Sequence, residues 1–188
     1  MTKTGLILLL TLIITRPLWG QSSYPKFELF GGYSFSHETI DSIGFNMNGW
    51  GAAFTGNITK NIGLTADFSG AYGSEAFSVC PVASSFTCAE GNASLSTYHF
   101  LAGPRFTLHA HRASPFAEVL FGAAKTPGTS TFAMGFGGGV DVPLGKHLAY
   151  RLIQVDYLPT KRASGIAGWD SDTRVQTGIV FTFGGMKR

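Results

Sequence analysis

The chain has 188 residues, of which 13% are charged and 13% aromatic, with 25 Gly. Ordinary soluble domains carry about 25% charged residues, so this composition argues against an exterior coated for water. Lys3 and Arg16 supply two of the 14 basic residues, which leaves 12 against 11 acidic ones after the N-terminal segment and no basic footprint for nucleic acid.

Residues 1–20 read as an export signal. Lys3 opens the segment, and Leu6 to Ile14 form an apolar run too short to cross a bilayer as a helix. Cleavage near Gly20 leaves residues 21–188 as one domain. At about 10 residues per membrane strand, that length fills eight strands with their turns.

The strands announce themselves by alternation. In Ile62-Gly63-Leu64-Thr65-Ala66-Asp67-Phe68-Ser69, large apolar residues alternate with small or polar ones. Successive strand side chains point to opposite faces, so one face is apolar and the other small or polar. The first strand is expected over residues 26–36, with Phe27, Leu29, Tyr33 and Phe35 outward. The second covers 49–58, with Trp50, Ala52, Phe54 and Ile58 outward, and Thr59-Lys60-Asn61 makes a tight turn to the third, 62–72. A long loop is expected over 73–94, holding Cys80 and Cys88. In an exported chain two such cysteines read as a loop disulfide.

The fourth strand is expected over 95–108, with Tyr98, Phe100, Phe106 and Leu108 outward. Pro104 lacks an N–H and belongs at a bulge or a ladder gap. The fifth covers 115–124 and the sixth 130–142, separated by a modest loop around Pro127-Gly128. The seventh, 148–158, has Ile153, Val155 and Tyr157 outward with Gln154 and Asp156 inward. Arg151 shares the outward parity there; either a bulge resets the register or the side chain snorkels at a membrane edge. The eighth covers 173–183, with Val175, Ile179, Phe181 and Phe183 outward.

The fold class is therefore all-β: an eight-stranded antiparallel up-and-down transmembrane β-barrel with short periplasmic turns and longer extracellular loops. Connections near Asn61, His111 and Gly145 are short and mark the periplasmic end; those near Asp41, Ser84, Pro127 and Ser164 face outside. Tyr33, Trp50, Tyr72, Tyr98 and Tyr157 form an outer aromatic girdle, with Phe27, Phe106 and Phe183 at the other end.

Inward parity collects Asp67, His99, Arg105, Glu118, Asp141, Asp156 and Arg174. An eight-stranded barrel is just wide enough for side chains to fill, and unpaired buried charges are strongly destabilising. These residues are expected to form a hydrogen-bonded network that plugs the lumen, with Arg105 and Glu118 as a blocking pair. A narrow gated channel along the same residues is the alternative. A lipid A-modifying enzyme is a third reading, since His99 lies near Ser96, but no acid completes a triad. The chain is read as no enzyme, with no residue assigned to catalysis, a cofactor or a metal. A soluble carrier with apolar residues inside conflicts with the low charge.

The last strand, Gln176-Thr177-Gly178-Ile179-Val180-Phe181-Thr182-Phe183, resembles the C-terminal assembly signal of outer-membrane barrels, its defined positions filled by Gln176, Gly178, Phe181 and Phe183. Gly137 to Val142, followed by Arg151 to Leu158, resembles the sixth and seventh strands of small OmpA-like, opacity-like or porin-family barrels. The resemblance spans about residues 27–183. It implies transit through the periplasm, insertion by the barrel-assembly machinery and residence in the cell outer membrane. The expected partners are membrane lipid and lipopolysaccharide. The chain is expected to act as a monomer, and the loop carrying Cys80 and Cys88 is expected to be its recognition surface for an unidentified extracellular ligand.

Overall fold

The computed structural model describes residues 24–40, 43–79, 89–110, 112–161 and 168–185. The expected export signal, Cys80, Cys88 and His111 lie outside the described residues. The eight strands are β1 (Pro25–Ile40), β2 (Ile43–Asn57), β3 (Ile62–Val79), β4 (Ala89–Thr107), β5 (Ser114–Thr126), β6 (Thr129–Pro143), β7 (Leu148–Lys161) and β8 (Trp169–Gly185). Each pairs with its sequence neighbours, and β8 returns to β1, closing the barrel. Every ladder is antiparallel. Closure removes the free edge that an open sheet would expose to lipid.

The alternation is realised along the wall. Leu64 and Phe68 face out and are exposed, while Thr65, Asp67 and Ser69 between them are buried. The interior is less uniformly polar than expected. Leu101, Leu120, Ala124, Ala133 and Leu158 form one apolar cluster inside, and Phe30, Ala53, Ala149 and Val180 a second. An eight-stranded interior is filled by side chains, and apolar ones fill it without needing partners.

Two expected loops are mostly strand. The segment 37–48 continues β1 to Ile40 and starts β2 at Ile43; the segment 73–94 continues β3 to Val79 and starts β4 at Ala89. The pairing runs out to Ile40↔Ile43 and Val79↔Ala89. A ladder needs only backbone groups, so it persists where the apolar alternation stops. The asymmetry between the ends therefore lies in strand extension as well as connection length. By contrast, β5 and β6 meet at a two-residue turn, Thr126↔Thr129. Pro127 presets the first central φ, and Gly128 supplies the second at φ 84°.

At the opposite end the connections are short. Thr59 Oγ1 accepts from the backbone N–H groups of Asn61 (3.3 Å) and Ile62 (3.0 Å), which fixes the β2–β3 turn. Asn61 Nδ2 donates to Thr107 O at 2.8 Å, tying that turn to β4.

Two irregularities resolve expectations. The β4–β5 ladder keeps its register from Ala102↔Phe121 to Arg105↔Glu118 but skips Gly103 and Pro104. Pro104 thus sits at a ladder gap, where its missing N–H costs nothing. On β7 the register shifts beside Arg151 toward both neighbours. Leu152 and Ile153 are both exposed, while Arg151 and Gln154 are both buried. This is a bulge with one extra residue, and it turns Arg151 into the interior.

Candidate functional site: a polar belt across the barrel

The inward charged residues meet in one connected network. Arg105 Nη2 donates to Asp141 Oδ2 at 3.1 Å. Arg151 donates to both oxygens of the same carboxylate, from Nε at 2.8 Å and from Nη2 at 3.1 Å. Arg151 Nη1 donates to Gln154 Oε1 at 2.6 Å. The Gln154 amide then donates to Glu118 Oε1 at 2.9 Å and to Asp156 Oδ2 at 2.9 Å. Arg174 Nε donates to Asp156 Oδ2 at 2.9 Å, and Arg174 Nη1 reaches Asp67 Oδ1 at 2.7 Å and Ser69 Oγ at 2.6 Å.

The network closes on itself. Arg105 Nη1 lies 3.4 Å from Thr55 Oγ1, and Thr55 shares a 2.8 Å hydrogen bond with Thr65. Thr65 and Asp67 are two residues apart on the same face of β3. The belt therefore leaves β3, passes through side chains of β2, β4, β6, β7 and β8, and returns to β3, with Glu118 of β5 branching from Gln154. β1 joins through Phe30, whose ring centre lies 4.2 Å from the Arg151 guanidinium carbon.

Two arginines share one aspartate because an aromatic ring lies beside both. The Phe116 ring centre is 3.5 Å from the Arg105 guanidinium carbon and 4.5 Å from that of Arg151. Such cation–π contacts strengthen when desolvated, and Arg105 and Arg151 are 2% and 1% exposed. Across the belt three arginines face Asp67, Glu118, Asp141 and Asp156. Mutual pairing is what makes their burial tolerable.

Glycines make the room. A Cβ on Gly137 would lie 1.9 Å from Asp156 Oδ1, and one on Gly51 would lie 2.1 Å from Gln176 Nε2. Gly137 on β6 is thus the space into which the Asp156 side chain of β7 folds.

All seven expected lumen residues are inward and buried. Six of them join the belt. His99 is buried in register with Ser69, and its Nε2 has no hydrogen-bond partner. The expected pairing of Arg105 with Glu118 is corrected: the two are cross-strand neighbours, but Arg105 pairs with Asp141 and Glu118 with the Gln154 amide. The reason is the β7 bulge, which brings Arg151 and Gln154 between them. Ser96 and His99 are three positions apart along β4 and therefore stand on opposite faces of the wall, so they form no nucleophile–base pair.

Sequence reading missed Glu28, Phe30 and Phe116, and left Arg151 open between a bulge and a snorkelling side chain. Glu28, between outward Phe27 and Leu29, carried the inward parity in plain sight. It is buried near the short-turn end, where it accepts from Asn57 Nδ2 at 2.7 Å and lies 3.5 Å from His109 Nε2. His109 also bonds Lys60 O at 2.7 Å through Nδ1. Beside this cluster a cavity of about 220 Å³ runs in from the turns to Asp141, lined also by Thr107, Ser114 and Lys146.

The expected girdle residues lie on the outer face. Tyr33, Trp50, Tyr72 and Tyr157 are exposed and Tyr98 is half-buried. Tyr72 and Tyr98 meet edge to face at 5.9 Å, with a 3.2 Å hydrogen bond between their hydroxyls, and Trp50 Nε1 donates to Tyr72 Oη at 3.4 Å. Of the expected assembly signal, Phe181 and Phe183 face out, and Gln176 is fully buried in the interior. A Cβ on Gly178 would lie 2.4 Å from Gly31 O, so this glycine permits close β8–β1 approach.

No family profile matches the sequence, and no curated protein matches it. Among solved structures, Neisserial surface protein A is similar with TM-score 0.62 and 10% identity, over 84% of this chain and 97% of that one. Ail, the attachment invasion locus protein of Yersinia pestis, is similar with TM-score 0.56 and 14% identity, over 85% of this chain and 99% of that one. Ail in complex with the heparin analogue sucrose octasulfate matches at TM-score 0.52 and 15% identity, over 85% of this chain and 99% of that one. The fold is that of the small eight-stranded outer-membrane β-barrels. At these identities the likeness is one of architecture.

Proposed function

We propose that this chain is an outer-membrane barrel that anchors recognition hairpins at the cell surface, with its lumen plugged by the polar belt. The observation that carries the reading is the inversion of the wall. Large apolar residues such as Phe68, Phe100, Phe121 and Phe136 face outward, and buried charges face inward. In water such an exterior would aggregate; in lipid it is the expected outer band of a barrel. The short connections 58–61, 108–113 and 144–147 lie on the periplasmic side, and the extended hairpins point outward.

The β3–β4 hairpin is the foremost recognition element. The β2–β3 ladder ends at Asn48↔Tyr72 and the β4–β5 ladder at Tyr98↔Lys125. Beyond Tyr72 the hairpin continues to Val79, about 23 Å at ~3.3 Å per residue. A disulfide between Cys80 and Cys88, which lie outside the described residues, would staple its tip and lower the entropy cost of binding. Attachment and surface placement are named for the two neighbours and fit this role. Export by the N-terminal signal and insertion by the barrel-assembly machinery complete the reading.

The test is heat-modifiability. The mature chain folded in detergent should migrate differently on an SDS gel before and after boiling, because a closed barrel offers SDS no free edge. Unchanged mobility, with solubility in plain buffer, would defeat the membrane reading. In planar bilayers the parent should show no conductance steps.

A narrow gated channel is the second reading. The cavity at the turn end reaches Asp141, and Asp67 Oδ2 and Glu118 Oε2 are buried without hydrogen-bond partners. Conductance steps in the parent that change on substitution of Glu118 would favour it over the plug.

A further inference from the structure

The outer wall between β2 and β5 carries a trough. One registered row reads Phe54↔Ala66↔Ala102↔Phe121, two small residues between two large ones. The row toward the turns reads Gly56↔Leu64↔Pro104. The row on the other side brings Phe68 beside Phe100, edge to face at 6.0 Å, and closes that end. Phe27 leans across Gly56, where a Cβ would lie 3.8 Å from its ring, and stacks on Phe54 at 5.7 Å. Phe27, Phe54, Leu64, Ala66 and Ala102 line an open hollow of about 520 Å³ there.

The trough has a charged mouth. Lys26 lines it, with Nζ 5.5 Å from the Phe27 ring centre. The lysine stem lies along apolar surface and its ammonium sits at the turn end, the usual arrangement at an interface. The hollow lies beside Lys26 toward the turn end of the wall, and so toward one face of a ~30 Å hydrocarbon core.

We propose that this trough is a specific site for an anionic phospholipid of the periplasmic leaflet. One acyl chain lies over Ala66 and Ala102 between the Phe54 and Phe121 walls, and the phosphate pairs with Lys26. The inference rests on the membrane reading and the orientation given above. At Ala66 and Ala102 small residues leave the floor open to a chain. Filling them would abolish the dispersion contacts that a packed chain makes.

Native mass spectrometry of the detergent-folded barrel, offered phosphatidylglycerol and phosphatidylcholine in equal amounts, tests it. The parent should retain one phosphatidylglycerol in preference to phosphatidylcholine by about fivefold, as one interfacial lysine predicts. Lys26→Gln should erase that preference while keeping the bound lipid. Ala102→Phe should lower retention of both lipids by about tenfold. Each variant is first checked for the mobility shift on boiling, so a misfolded barrel is not scored. Equal retention by the parent and Ala102→Phe would overturn the site, as would a parent with no headgroup preference. An Ala102→Cys variant that crosslinks into a dimer in lipid would assign the trough to a second copy and overturn it too. A barrel soluble without detergent would instead overturn the membrane reading itself.

Discussion

The two faces of the same wall obey different rules. On the outer face, Phe68, Phe100, Phe121, Phe136 and Val155 share only the property of being apolar. On the inner face, Arg174 meets Asp67, Asp156 and Ser69 at set distances, and the glycine at position 137 leaves the volume that Asp156 occupies. The outer face is a solvent match, tolerant of any side chain that lipid accepts. The inner face is a fitted assembly in which each group depends on a partner contributed by another strand.

The largest way to break the comparison is to remove one member of the belt. Arg174→Met should destabilise the barrel by about 3–5 kcal/mol, because Asp67 and Asp156 remain buried without their cation. Urea unfolding in lipid vesicles measures this, and a loss below about 1 kcal/mol would show that the belt is not a stabilising unit. Combining Arg174→Met with Asp67→Asn should recover part of the loss, with a coupling of about 0.5–3 kcal/mol in a double-mutant cycle.

Next in size is the interior packing. Leu120→Ala in the apolar cluster should cost about 2–5 kcal/mol, the range for deleting buried leucine side chains. Gly51→Ala should cost about 1–3 kcal/mol, since its Cβ would lie 2.1 Å from Gln176 Nε2 and force that amide aside. The same unfolding measurement ranks both. A Gly51→Ala barrel as stable as the parent would mean that the inner face has slack.

The smallest effects should come from the outer face. Phe136→Leu should change stability by less than about 1.5 kcal/mol, an apolar exchange in a lipid setting. Phe121→Arg sharpens the contrast, with a cost of about 2–4 kcal/mol if the position lies at the bilayer midplane. If Phe121→Arg were as mild as Phe136→Leu, the outer face would not be meeting lipid.

Much of the site was legible as parity. Asp67, Asp141 and Asp156 each sit between outward apolar neighbours, and Arg174 shares the parity opposite to Val175, Ile179 and Phe181, which sufficed to place them inside. Glu28 had the same signature. Arg151 broke the parity, because a bulge adds one residue and reverses parity beyond it; the sequence marked the place but left a bulge and a snorkelling side chain equally open. The partnerships were also hidden. Asp67 and Arg174 are 107 residues apart, and which carboxylate each arginine reaches depends on the tilt and register of strands that the sequence does not order in space. The projecting hairpins were read as loops for a related reason. Toward the hairpin tips the apolar–polar alternation lapses, although the backbone ladder continues.

The sequence by itself determined the strand count, the wall's two-sided chemistry and the short turns, because each depends on neighbours a few residues away and on the contrast between the outer and inner faces. Only the tertiary structure decided the closure of the polar belt, the inward turn of Arg151, the exchange of the Glu118 partner for Asp141 at Arg105, and the length of the hairpins. Those features depend on register, and register is set by all eight strands at once when the barrel closes.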